Sequence, residues 1–312
     1  MSDTGRLAIE PIPLPSRPAV AVLGPGGVGG LLAALLSRAG HRVICIAGQE
    51  TADALRRDGI HVRSRQFGDL TATVEADTEL REPVDVCLVT VKSTALDAAL
   101  DRVPTRPLAD GVLLPLLNGV DHTETLRARY GERRVVPAVI RVESTRTAPG
   151  VIEQGSPFTE VDLAGRQERL APLAALLADA GTATRIVPDE RQLLWGKLAF
   201  LAPFALLTTR HQAPIGVIRS ERREELTACV QETVAVGRAC GGRTVAAEVL
   251  ERYDAFPAGS KSSMQRDAEA GRPLELDAIG GAVLRAAGRH GIPVPLTTRL
   301  VAELEAVTGP PR

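Results

Sequence analysis

One lysine stands in an otherwise apolar run, Leu194-Trp195-Gly196-Lys197-Leu198-Ala199-Phe200-Leu201-Ala202-Pro203-Phe204. Such a lysine lies along apolar surface with its head in water, sits on the exposed side of a helix, or, partly shielded, acts as a proton donor. A second group is the loop Gly24-Pro25-Gly26-Gly27-Val28-Gly29, which fits GxGxxG. Its first glycine permits a tight turn, its second lets a pyrophosphate approach the backbone, and its third lets helix and strand pack closely. Phosphate then sits at the positive end of the following helix. Lys92 follows the apolar run VCLVTV, and Asn118 ends LLPLLN just before Gly119. In open α/β sheets ligands gather beyond the carboxyl ends of strands, which is where both would lie; ordinary loop capping is the alternative for each. Ser263 in GSKSSMQRD and Glu275 in RPLELDAIGG mark helix starts. By pattern alone the serine reads as a cap and the glutamate as a dipole partner.

The elements that must hold these groups alternate from residue 19 onward. AVAVLG (19–24) reads as a strand and LLAALLSRAG as a helix, with Leu31, Leu32, Leu35 and Leu36 at helical spacing and Gly40 as its C-cap. RVICIA, VDVCLVTV and GVLLPLLN are further buried strands, with TADALRRDG and TALDAALDR as helices among them. Near-continuous Val/Ile/Leu strands alternating with helices predict an α/β domain, a doubly wound parallel sheet covered on both faces. The glycine loop closes a strand and opens a helix within a βαβ unit, the context the motif requires. VVPAVI, GVIEQG, FTEVDLA and TATRIV continue as strands, with APLAALLADAG helical. From about residue 189 helical signals dominate. The expected organisation is a flexible leader over 1–17, a dinucleotide-binding domain over 18–188, and a mostly helical domain over 189–312.

The chain has 312 residues, 37 basic and 38 acidic side chains and a formal net charge of -1, so it offers no general electrostatic attraction to nucleic acid or an anionic membrane. No apolar run reaches the roughly 18 residues of a membrane span. The four cysteines, Cys45, Cys87, Cys229 and Cys240, form no CxxC pair. The five histidines are scattered without spaced partners, and no metal site is expected. A reduced, cytoplasmic protein is the expectation, and an apolar helical domain is compatible with a homodimer. After the second strand the chain reads Ala47-Gly48-Gln49-Glu50-Thr51. It lacks both the acid that marks NAD and the arginine that marks NADP, which leaves that choice open.

Taken in order, LGPGGVGG, VTVKS, LNGV, LWGKLAF, SSMQRD and ELDAIGG resemble the ketopantoate reductase (2-dehydropantoate 2-reductase) family from residue 19 to the end, and HGIPVPLTTRL resembles its closing segment. The resemblance implies an N-terminal Rossmann domain, a helical C-terminal domain and NADPH-dependent reduction of a 2-keto acid to a 2-hydroxy acid, in the setting of pantothenate biosynthesis. By position it makes Lys197 the general acid and Glu275 the carboxylate that holds a substrate hydroxyl. Ser263 becomes a substrate-binding serine, and Lys92 and Asn118 contact cofactor and substrate. Four positions depart from the family pattern: Leu201, Ala205 and Ser260 replace asparagines, and Gly48 replaces the arginine after the second strand. Two readings compete with reduction of 2-dehydropantoate: a reductase of a less polar keto substrate, and a dinucleotide-binding sensor whose catalysis has decayed.

Overall fold

The computed structural model describes residues 10–108 and 110–308. The chain divides into two compact units. One holds the residues up to Val91, Ala95–Leu117 and Thr125–Glu190; the other holds Lys92–Thr94, Asn118–Glu124 and the chain from Arg191 onward. Within the span 18–188 expected for the first domain, residues 92–94 and 118–124 group with the helical unit. Of the leader expected over 1–17, residues 1–9 lie outside the described residues. The rest is not a free tail: Ile12 is buried and donates its backbone N–H to the Arg169 carbonyl at 3.0 Å.

The first unit begins with β1 (Ala19–Leu23), α1 (Gly27–Arg38), β2 (Arg42–Ile46) and α2 (Gln49–Asp58). There follow β3 (Ile60–Ser64), β4 (Gly68–Ala72), β5 (Glu75–Asp77) and β6 (Val86–Val89). Next come the short α3 (Leu96–Leu100), β7 (Val112–Pro115) and α4 (His122–Tyr130), which starts in one unit and ends in the other. β8 (Ala138–Arg141), β9 (Ser144–Ala148), β10 (Val151–Gln154), β11 (Glu160–Ala164), α5 (Gln167–Asp179) and β12 (Ala183–Val187) complete it.

The main sheet is parallel with the order β5-β2-β1-β6-β7, so the strand order reverses at β1. Both of its faces are dry. Val20 and Val22 of β1 pack toward α1, while Ala21 and Leu23 pack toward Leu96, Leu100, Leu126 and Tyr130. This is why its strands read as unbroken apolar runs. The hairpin β3-β4 and the strand β9 carry no comparable run and were not legible in advance. They join β10 in a second sheet, β4-β3-β10-β9, and β8, β11 and β12 form a third.

The second sheet explains α1. Every residue from Gly29 to Leu36 is buried, including Ala33 and Ala34 on the side away from the leucine stripe. A helix that is apolar all round must be enclosed, and α1 contacts β9, β10, β3 and β4 as well as β1 and β2.

The second unit is helical: α6 (Glu190–His211), α7 (Ile215–Glu221), α8 (Arg223–Ala239), α9 (Ala246–Ala255), α10 (Ser263–Glu269), α11 (Ala282–His290) and α12 (Pro295–Thr308). α6 is long and apolar enough to cross a membrane, but its most apolar stretch is 72% buried, as in the core helix of a folded unit. Leu198, Ala202, Leu206, Val230, Ile279 and Val283 share that core. Tyr253 stacks on Phe200 with ring centroids 4.4 Å apart, and Phe256 packs against Phe200 and Phe204.

Candidate active site

In the first unit the glycine loop lies between β1 and α1, at the strand where the sheet order reverses. Gly24 has φ +83°, and a Cβ there would lie 2.4 Å from Val91 Cγ1, so only glycine fits. A Cβ on Gly27 would meet the Ser144 carbonyl oxygen at 2.2 Å, and one on Gly29 the Thr90 hydroxyl at 2.2 Å. Gly26 is different. A Cβ built there meets only the Gly24 oxygen, at 3.9 Å, so its outer side faces open space. Gly26 is also the N-cap of α1 and supplies no side-chain cap, which leaves the first N–H groups of the helix beside that space. Val28 is half-buried and packs on the core beneath the loop. Thr90 braces the loop by donating its hydroxyl to the Leu23 and Gly24 carbonyls at 3.0 and 2.9 Å. These features fit a dinucleotide: an open glycine, helix amides without a side-chain cap and, among the described residues, no side chain over Gly26.

In the second unit a buried carboxylate, Glu275, holds one of the other expected residues, Asn118, together with Ser93. Glu275 is 7% exposed and precedes a π-helical turn, Asp277–Gly281, that leads into α11. Its Oε1 accepts the Ser93 backbone N–H at 3.0 Å and the Ser93 hydroxyl at 3.1 Å, and its Oε2 accepts Asn118 Nδ2 at 3.0 Å. The amide nitrogen of Asn118 must face Glu275, because a carboxylate only accepts. Gly119 makes this possible. It has φ +90°, and a Cβ would lie 2.4 Å from the Ala278 carbonyl oxygen, so the turn after Asn118 can lie flat against the start of the π turn.

Lys92 pairs instead with Asp267, Nζ to Oδ2 at 2.6 Å; Asp267 also accepts Arg272 Nε at 2.8 Å and is itself buried. Lys92 and Asn118 are thus held on two neighbouring acids of the helical unit. Ser263 is exposed at the first position of α10. The cap expected of Ser263 is Ser262, one residue earlier, whose Oγ accepts the Gln265 N–H at 3.0 Å and the Thr208 hydroxyl at 2.8 Å. Ser262 is buried, which turns its neighbour outward.

Lys197 is half-buried on α6. Leu201, one turn on, is also half-buried, whereas Ala205 is 1% exposed inside the core. The column Lys197-Leu201-Ala205 therefore enters the core at its far end and offers only Leu201 beside the lysine.

Three site residues carried no signal of their own in the sequence reading. Ser93 and Asp267 close the quoted motifs VTVKS and SSMQRD, which is the signal that could have found them. The third is His122, at the start of α4. It is 5% exposed, and neither ring nitrogen has a hydrogen-bond partner among the described residues. Burial and then the Lys197 ammonium push its pKa down to about 4, so the ring is neutral at ordinary pH. A lone histidine in NGVDHTE gives no hint of this.

A Rossmann-type unit with an open glycine loop, joined to a helical unit carrying a buried carboxylate and a half-buried lysine, is the layout of a two-domain α/β oxidoreductase. The family model described as "Ketopantoate reductase PanE/ApbA" matches residues 20–163, and its C-terminal counterpart matches residues 189–308. The chain belongs to the ketopantoate reductase family and is an oxidoreductase acting on CH–OH groups. It is 32% identical to the 2-dehydropantoate 2-reductase of Caulobacter vibrioides over 92% of this chain and 98% of that one. It is 31% identical to the Mycobacterium tuberculosis 2-dehydropantoate 2-reductase over 94% of this chain and 98% of that one. Among solved structures, the 2-dehydropantoate 2-reductase of Geobacter metallireducens superposes with a TM-score of 0.85 at 30% identity, covering 93% of this chain and 100% of that one.

Proposed function

We propose that the protein reduces a 2-keto acid to the 2-hydroxy acid, with 2-dehydropantoate the leading substrate, NADPH the reductant and Lys197 the general acid. The observation that carries this reading is the hydrogen-bonding of Glu275. A carboxylate has about four lone-pair sites. Ser93 fills two on Oε1 and Asn118 one on Oε2, which leaves one position on a fixed, buried acceptor. That position suits a substrate hydroxyl.

The loop Gly24, Gly26, Gly27, Val28 and Gly29 holds the pyrophosphate of the dinucleotide. When bound, the reduced nicotinamide supplies a hydride to the carbonyl carbon. The Lys197 ammonium faces the carbonyl oxygen, stabilises the negative charge that develops there and gives up its proton to it. Neutral His122 suits this arrangement, since a second cation beside Lys197 would compete for the same anionic oxygen. Lys92, held by Asp267, keeps two further N–H donors for the substrate carboxylate or the cofactor, and Ser263 offers an exposed hydroxyl for the same purpose. Asn118 and Glu275 fix the hydroxyl end of the substrate.

Half-buried Leu201, one turn from Lys197, favours a second reading in which a keto acid with a plainer alkyl chain is the better substrate. The test is a panel of 2-keto acids assayed with NADPH and with NADH by nicotinamide absorbance. Turnover of 2-dehydropantoate with NADPH is the expected result. Tight cofactor binding without turnover of any ketone would replace this reading with that of a dinucleotide-binding sensor.

A further inference from the structure

We infer that Arg146, on β9, recognises the 2′-phosphate of an NADP-type cofactor in place of a residue at the end of β2. The inference rests on the dinucleotide reading of the glycine loop. A dinucleotide lying on that loop puts its adenosine ribose at the end of β2. There the chain runs Ile46-Ala47-Gly48-Gln49, with neither a cation nor an acid. A Cβ on Gly48 would meet nothing within 4 Å, so the backbone borders open space at this point. A 2′-phosphate placed there carries close to two negative charges and calls for a guanidinium.

Among the described residues four arginines reach the surroundings of this strand end, and three are committed; Arg81 donates Nη1 to Asp77 Oδ2 at 2.6 Å. Arg102 donates Nη1 to the Ala47 carbonyl at 2.7 Å and to the Thr78 carbonyl at 3.3 Å, bracing the loop ends from within. Arg56 donates to the Ala76 carbonyl and to Asp53, both at 2.8 Å, and lies 3.6 Å from Asp77. Arg146 is exposed and its bond is to a neutral hydroxyl, Nη1 to Thr51 Oγ1 at 3.3 Å, in the first turn of α2. Among the described residues no carboxylate pairs with it.

β9 runs alongside the dinucleotide path. Its first residue, Ser144, donates its hydroxyl to the Gly27 carbonyl at 2.7 Å, at the pyrophosphate loop. Arg146, two residues on, lies on the same face of the strand and reaches the helix that follows β2. One strand thus touches both ends of the path from pyrophosphate to ribose. Of the nearby acids, Asp53 and Asp77 face Arg56, whereas Glu50, exposed in the first turn of α2, pairs with no cation among the described residues. If Glu50 took the ribose hydroxyls instead, the protein would prefer NADH.

Dissociation constants of NADPH and NADH, measured by calorimetry on the full chain, decide between these arrangements. Arg146→Gln is expected to weaken NADPH by about 10- to 100-fold, the scale of a lost charge-assisted bond, and to leave NADH unchanged. Arg146→Lys should retain part of the NADPH affinity, and 2′,5′-ADP should follow NADPH while 5′-AMP follows NADH. An unchanged thermal midpoint in Arg146→Gln rules out general damage to β9. The inference is overturned if Arg146→Gln affects both cofactors alike or neither, or if the wild type prefers NADH and Glu50→Gln abolishes that preference. Binding of neither dinucleotide by the wild type would overturn the cofactor reading itself, and this inference with it.

Discussion

At the scale of single residues, the glycine loop separates two kinds of substitution. Gly26→Val places its branched side chain in open space, so the fold should persist while the dinucleotide loses its seat. The expected result is a normal thermal midpoint with no measurable cofactor binding. Gly29→Val drives a side chain into the Thr90 hydroxyl and, at 2.5 Å, the Gly24 oxygen, and should lower the midpoint sharply. Lys197→Ala should reduce kcat by roughly 10²- to 10⁴-fold, the usual scale for a lost acid, with cofactor affinity little changed. If kcat survives, Lys197 only covers apolar surface.

His122 makes a prediction about pH. Its folded pKa, about 4, lies below the ordinary 6.5. Above pH 6.5 the ring is neutral both folded and unfolded. As pH falls from 6.5 toward 4, the unfolded chain takes up a proton that the folded chain refuses, so stability falls through that window. The loss is roughly 3 kcal/mol at most. Thermal midpoints of wild type and His122→Asn, measured between pH 7 and pH 4, should differ in slope there. Parallel curves would show that His122 is solvated in solution.

At the scale of elements, the third sheet depends on one buried acid. Asp162 on β11 is joined to Arg141 of β8 at 2.7 Å and to Arg185 of β12 at 2.8 Å. Burial raises its pKa, and the hydrogen bonds from Arg185 and Arg141 outweigh that and hold it below the ordinary carboxylate range. Asp162→Asn removes the charge that both arginines face. We expect a loss of about 2 kcal/mol, below the roughly 3–5 kcal/mol of a fully buried pair, because two-thirds of the Arg185 side chain stays in water. Denaturant titration measures it. A sequence reading finds the strand FTEVDLA but not this function of its aspartate, since the partners lie 21 and 23 residues away. The turn at Gly119 is similar. The motif LNGV was legible, whereas the reason for its glycine, the Ala278 carbonyl, comes from 159 residues downstream.

At the scale of the whole molecule, substrate choice is the property to measure. Ala205 lies in the core, so on the proposed function the recognition of a substrate hydroxyl would fall to Glu275 with Asn118 and Ser93, opposed by Leu201. We expect kcat/KM for 2-dehydropantoate over 2-ketoisovalerate, which lacks the hydroxymethyl group, to fall well short of the ratio of about 10⁴ that a site built on hydroxyl bonding reaches. A ratio of that size would show that the Glu275 acceptor carries recognition unaided.

By itself the sequence determined what local periodicity and motif context encode. These are the parallel strands with their unbroken apolar runs, the glycine loop at the first strand–helix junction, the helical second half, Lys92 and Asn118 as the polar residues at strand ends, and Lys197 as the one charge in an apolar run. Each depends on neighbours within a few residues, where strand and helix periods act. Only the tertiary structure decided that a second sheet encloses α1, that Ser262 rather than Ser263 caps α10, and that Lys92 and Asn118 are held by Asp267 and Glu275. It also decided that a buried histidine lies near Lys197 and that Arg146 reaches α2. Apart from the cap, whose bond spans three residues, these contacts join residues from tens to nearly two hundred positions apart. No local pattern records them, because they are set by which surfaces must be buried together once the chain folds.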